Sequence, residues 1–434
     1  METTIQRNKL FVASCLALLV TSLSFGIRAG IIDQLGMEFA LDKQQLGAIV
    51  ATAFWGFPVA IVIGGFIVDA IGIKRLLVIA FFLHLIGIVL TIFANGFWTL
   101  YISTLFIGLA NGTVEAACNP LVATIFPENK TTKLNHFHLW FPGGIVIGTL
   151  IVMLFNSVGL SWQVQMSLMI IPTLIYGYLF LKLKVPVTER VASGVSTGEM
   201  LRSVTKPLFI FMFICMLGTA ITELFTNQWT DVLFKTVTDN ALLILTFVAG
   251  MQVLGRAFAG PVVHRLAPQG VLLISAILSA LGIYLLIHVQ GVAIFGAAII
   301  FGLGVAFFWP CMIGFVAEYI PQSGALGLNL MGGAGMFAVS IYTWIMGKKF
   351  DEIMIQNLPA GADLKAYGAT TDPAMKAAYE TARAHAGPEI LQITNIIPFI
   401  LIIAFLFLVL IMRNKQKPNI ASQPDATLQA EVTP

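Results

Sequence analysis

Twelve runs of about twenty apolar residues dominate this sequence. They lie at approximately 10–32, 44–68, 76–94, 98–124, 134–156, 162–182, 207–230, 240–262, 270–289, 292–317, 325–347 and 389–412. A helix rising 1.5 Å per residue needs about 20 residues to cross a hydrocarbon core about 30 Å thick. Lipid offers no partner to backbone N–H and C=O groups, so each run is read as a helix. A membrane barrel would instead alternate over strands of about ten residues. The polar remainder cannot clothe a soluble protein, since 10% of residues are charged against about 25% in soluble domains. A formal net charge of +3 with no dense basic stripe excludes a nucleic-acid binder. The 33 phenylalanines exclude a disordered chain. The expected class is an all-α polytopic membrane protein.

Lysine and arginine favour the cytoplasmic side of short loops. With the N-terminus inside, most of the 24 basic residues fall on that side, among them Lys74, Arg75, Lys130, Lys133 and Arg265. Lys348, Lys349, Lys365, Lys376 and Arg383 share one long outer loop, which weighs little in this rule. Both termini are therefore expected in the cytoplasm and the chain in the cell membrane, the inner one in a Gram-negative cell. Residues 183–206 form a polar linker between a six-helix bundle at 1–182 and a second at 207–412. The second carries an outer insertion at 350–388, whose Ala-rich segment Pro373 to Ala386 reads as a short surface helix. The tail 413–434 reads as disordered. The run from Leu10 to Ile32 is too long for a cleaved signal peptide. Cys15, Cys118, Cys215 and Cys311 sit in apolar runs, as packing residues do.

The two bundles repeat one another at nearly constant offset. Asn119-Pro120 matches Trp309-Pro310, and Gly65 to Arg75 matches Gly255 to Arg265. Leu134-Asn135 matches Leu328-Asn329, and each is followed by paired glycines, Gly143-Gly144 and Gly332-Gly333. Two parallel six-helix repeats describe the major facilitator architecture, with a binding site between the repeats near the midplane. The stretch GGFIVDAIGIKR at 64–75 is similar to the signature of that superfamily. Gly65, Asp69, Gly72, Lys74 and Arg75, with Gly255, Arg256 and Arg265 in the second copy, are accordingly expected to form a conformational motif. In it Asp69 meets a basic side chain of a nearby helix.

A closer likeness is carried by three stretches. VEAACNP at 114–120, GRAFAGPVVHRLAP at 255–268 and WPCMIGF at 309–315 resemble segments of the fucose permease family of facilitators. The resemblance implies proton-coupled uptake of a sugar, with Glu115 as the proton-linked and substrate-linked group. A helix 1 Asp of that family falls near Arg28-Ala29, and a helix 5 Asn falls near Phe141. The implied substrate is therefore a hexose or related sugar derivative rather than fucose itself.

The apolar runs hold a few polar groups that lipid would not tolerate. Arg28, Glu115 and Glu223 facing lipid would cost about 8–10 kcal/mol together, so they must face a wet cavity or each other. A carboxyl withheld from water can bind and release a proton, which is what a symporter requires. Asn111 and Asn119 share the helix face of Glu115, at i−4 and i+4. Arg28 and Glu223 lie at matching heights and are expected to form an outer-gate ion pair, with Asn227 beside it. Trp229, which ends that helix, reads as an interfacial belt residue. Asn135, His138, Trp140 and Trp309 are candidate walls of the cavity, since an indole stacks on the C–H face of a sugar.

No nucleophile–base set, metal motif or phosphate-binding glycine loop appears, so neither an enzyme nor a cofactor is expected. The reading is a monomeric secondary transporter that imports a sugar with a proton across the lipid bilayer. Two alternatives are symport or exchange of a small organic anion gripped by Arg28, and a nutrient sensor that does not transport.

Overall fold

The computed structural model describes residues 6–41, 43–227, 241–368 and 370–413. Trp229 and the tail from 414 lie outside the described residues. The first half comprises α1 (Arg7–Glu38), α2 (Lys43–Ile71), α3 (Ile73–Ile92), α4 (Phe97–Ile125), α5 (Lys130–Ser157) and α6 (Trp162–Lys182). The second comprises α7 (Pro207–Phe225), α8 (Ala241–Ala257), α9 (Ala259–His288), α10 (Ala293–Tyr319), α11 (Pro321–Gln356) and α12 (Pro373–Met412). Among the described residues, eleven helices are long and apolar enough to cross a membrane. The remaining one, α8, has 17 residues and starts where the described chain resumes.

The helices pack closely because small residues remove the side chain at the contacts. A Cβ on Gly112 of α4 would lie 2.1 Å from the Phe57 carbonyl oxygen of α2. The chain reverses between α2 and α3 on Gly72 alone, at φ 87°, a left-handed conformation that favours glycine. The equivalent reversal in the second half uses Ala267 at φ 53°, followed by Pro268. Helix-like chain thus continues past residue 262, where the hydropathy pattern ended span 8. This corrects the sequence reading of Arg256, which lies well before the reversal and not beside it.

The insertion also differs from expectation. Its helix is not confined to the surface stretch Pro373 to Ala386. It runs over Pro373–Thr394 and continues through Asn395 into Ile396–Met412. Asp372 starts it by accepting from the Ala374 and Met375 amides, each at 2.9 Å, with Pro373 in the first turn. Ala382, Ala386 and Ile390 pack with Ile353 and Met354 of the α11 extension in a separate small core that reaches Phe225 of α7.

The linker straps one face of the molecule. The short helix Glu189–Ala192 is capped by Thr188. Asp69 accepts from Thr188 Oγ1 at 2.5 Å and from Arg190 Nε at 2.6 Å. Lys130 pairs with Glu189 at 2.6 Å and also donates to the Ala317 carbonyl of α10. Lys74 Nζ donates to the Leu181 carbonyl at 3.1 Å, while Arg75 and Arg265 are exposed. A second linker helix, Thr197–Val204, opens with a Ser196–Glu199 capping box. Bonds from the Ser196 amide and hydroxyl hold the Glu199 carboxyl below its ordinary pKa.

The two halves are closed against each other on this linker side. The Thr131 amide and hydroxyl of α5 donate to Glu318 of α10 at 3.1 and 2.7 Å. Asn329 of α11 crosses to α4 and donates to the Ala116 carbonyl at 3.0 Å. That carbonyl is free because its helical partner would be residue 120, a proline with no N–H. On the opposite side a cavity of about 640 Å³ separates α2 from α11, with Trp55 and Trp344 on its walls.

Gly112→Ala should lower the thermal stability of the purified protein by about 1–3 kcal/mol, the usual cost of overpacking, as measured by unfolding in detergent. Arg190→Ala should free the linker helix, visible as faster proteolytic nicking within 183–206.

Candidate functional site

Five helices deliver charged or polar groups to one enclosed point between the halves. Phe57, Glu115, His138, Phe141, Glu223 and Arg256 line it, with Trp309 and Met336. The space left among them is about 20 Å³, room for one water.

Glu115 lies on α4 and is 1% exposed. Asn119, one turn on, donates from Nδ2 to Glu115 Oε2 at 2.7 Å. That turns Asn119 Oδ1 toward His138 Nε2 at 2.9 Å, so Nε2 carries the hydrogen. The other ring nitrogen, Nδ1, then faces Glu115 Oε1 at 3.7 Å. The two atoms stand just beyond hydrogen-bond distance, and the Asn119 amide fixes the tautomer that turns the bare Nδ1 toward the carboxyl.

Arg256 of α8 forms the other half of the site. Its Nη2 donates to Glu223 Oε1 at 2.7 Å, and both side chains are at most 4% exposed. Its Nη1 donates to the His138 carbonyl at 2.7 Å and its Nε to the Ala306 carbonyl at 2.6 Å. Both carbonyls are available for one reason. Four residues after His138 stands Pro142, and four after Ala306 stands Pro310. Neither proline has the N–H that a helix would return to those oxygens, and α5 and α10 are both interrupted just there, at Leu139 and Ala306. Glu223 sits in a π-helical turn, Ile221–Phe225, a local widening that recurs at functional sites.

The sequence-based candidates divide accordingly. Glu115, Asn119, His138, Trp309 and Glu223 come together. The Trp309 indole rests against Gly335 and Gly332 of α11, where a Cβ would meet it at 2.9 and 3.6 Å. Asn111 does not reach the cavity. It belongs to a separate buried chain inside the first half, in which His84 bridges Tyr176 Oη and Asn111 Oδ1 at 2.9 Å each, and Asn111 donates to Ser24. Asn135 is buried against α10, donating to Cys311 Sγ at 3.4 Å and to the Thr131 carbonyl. Trp140 is half-buried against the core, its carbonyl accepting from Ser22 at 2.8 Å. Asn227 lies one turn beyond Glu223 and is partly buried.

Arg28 and Glu223 are not joined. Glu223 is bound by Arg256, and Arg28 is 8% exposed with Nη2 lacking a hydrogen-bond partner among the described residues. Arg256, assigned from sequence to a conformational motif, is a cavity residue. Its signal was present, an arginine within an apolar run, but it was grouped with the repeat of Gly65 to Arg75 rather than with Glu223. His84 was missed because a lone histidine in a helix has no spacing partner in sequence.

The sequence profile of the Major Facilitator Superfamily matches residues 10–342. A facilitated glucose transporter of Danio rerio, solute carrier family 2 member 10, is 29% identical over 164 residues, which are 37% of this chain and 32% of that relative. The match therefore spans about a third of the relative's length. Among solved structures, the transporter FucP in its outward conformation superposes with a TM-score of 0.66 at 16% identity, covering 90% of this chain and 98% of that one. The proton:xylose symporter XylE gives 0.70 at 15% identity over 88% and 94% of the two chains. With an unbroken profile match over most of its length and this fold, the chain belongs to the Major Facilitator Superfamily.

Proposed function

We propose that this protein imports a sugar by proton symport, with Glu115 as the proton carrier. The observation that carries the reading is the buried Glu115–Asn119–His138 cluster joined through Arg256 to Glu223 where the two halves meet. Neutral walls, Trp309 and Phe141, suit a sugar ring. Similarity to a facilitated glucose transporter supports a sugar, and likeness to a proton:xylose symporter supports the proton.

In this reading the helices before linker 183–206 and those after it are two bodies that rock about the cluster as a monomer, with both termini in the cytoplasm. The linker side is then the cytoplasmic side. One proton driven inward at 100 mV contributes about 2.3 kcal/mol, roughly a fifty-fold accumulation. A second reading, in which an organic anion is carried, is favoured by Nη2 of Arg28, which has no hydrogen-bond partner among the described residues.

The deciding experiment is uptake of a panel of neutral sugars and sugar acids into proteoliposomes, with and without an imposed pH gradient. Gradient-driven accumulation of a neutral sugar is expected; uptake confined to sugar acids would favour the second reading. Glu115→Gln should retain sugar exchange and lose uphill uptake, and full accumulation in that variant would remove Glu115 from the mechanism. Arg256→Gln should destabilise the protein by about 3–5 kcal/mol, because Glu223 is left as an uncompensated buried charge. Combining it with Glu223→Gln should recover the part of that loss due to the unpaired carboxylate in a thermal unfolding assay.

A further inference from the structure

Three prolines each free a helix carbonyl where the two halves meet, and a side chain from another helix takes each one. The Ala116 carbonyl goes to Asn329 at the linker-side closure. The other two, on His138 and Ala306, both go to Arg256. One of these belongs to the first half and one to the second, and His138 lines the central space. A buried carbonyl without a donor is costly, so any rearrangement that moves Arg256 away must supply replacement donors. Meanwhile the space beside Arg256 is about 20 Å³, enough for a water and far too small for a sugar. The guanidinium therefore stands where a substrate would have to be.

We infer that the His138 and Ala306 carbonyls are hydroxyl-binding positions for the substrate, and that Arg256 occupies them only while the site is empty. This deepens the sugar reading and rests on it. A pyranose offers hydroxyl donors around its rim, and two of them can replace Nη1 and Nε of Arg256. The guanidinium then stays with Glu223 through Nη2 alone. A polyhydroxylated neutral ring satisfies both carbonyls, whereas a ligand with only acceptor groups satisfies neither. A carbonyl from each half would thus be bridged by one ring, which ties the two halves together through the cargo.

The test uses full-length protein in detergent and the binding of D-glucose, D-xylose, L-fucose and their monodeoxy analogues, measured by calorimetry. Pro142→Ala and Pro310→Ala each return a backbone N–H to the freed carbonyl. Each should weaken binding of the recognised sugar at least tenfold. In each variant, the deoxy analogue lacking the matching hydroxyl should bind no worse than the parent sugar, although it binds worse to the unmodified protein. Pro120→Ala, which alters the Ala116 carbonyl at the linker-side closure, should leave that pattern of deoxy discrimination unchanged. The variant Arg256→Leu with Glu223→Gln, in which position 256 carries no donor, should bind the sugar more tightly, since the competing donor is gone; a purely structural arginine predicts the opposite sign. Unchanged affinities in both proline variants, or equal losses for every analogue, would overturn the assignment and leave the sugar reading standing. Failure of the unmodified protein to bind any member of the panel would instead overturn the sugar reading, and this assignment with it.

Discussion

A guanidinium buried at the junction of the two halves holds this structure's centre together. Arg256 reaches Glu223, the His138 carbonyl and the Ala306 carbonyl with three nitrogens, all within 2.7 Å. A lone arginine there would be intolerable, and so would two orphaned carbonyls. Each defect cancels the others. The interruptions in α5 and α10, the π-helical turn in α7 and the position of His138 are all arranged around this one planar group.

The same economy explains how the acid on α4 communicates with the second half. Glu115 touches Arg256 through no direct hydrogen bond. It is linked by the Asn119 amide to the His138 ring, and by the His138 backbone to Arg256. The hydrogen-bonded chain from Glu115 to Arg256 runs through four residues, all of them buried.

Much of this could be read before any coordinates. The helices, the repeat and the importance of Glu115 follow from apolar run length, constant offset and the cost of an intramembrane charge. Asn119 was legible from its i+4 spacing. Other features depend on tertiary pairing that spacing does not encode. Glu223 has two arginines at plausible heights, and only packing decides that Arg256 takes it. Asn111 shares a helix face with Glu115, yet His84 draws it into a different chain. Arg256 was misplaced for a more specific reason. The repeat sets Gly255 to Arg265 against the reversal at Gly65 to Arg75, whereas in the structure the chain reverses only at Ala267.

The duplicated asparagines show what the repeat has become. Asn329 clasps the carbonyl released by Pro120. Its counterpart in the repeat, Asn135, does not take the carbonyl released by Pro310; Arg256 holds that oxygen, and Asn135 donates to Cys311 and to the Thr131 carbonyl. The duplicated positions are therefore fastened differently: an asparagine holds the freed carbonyl on one flank, an arginine paired with Glu223 holds it on the other, and the two halves are not interchangeable.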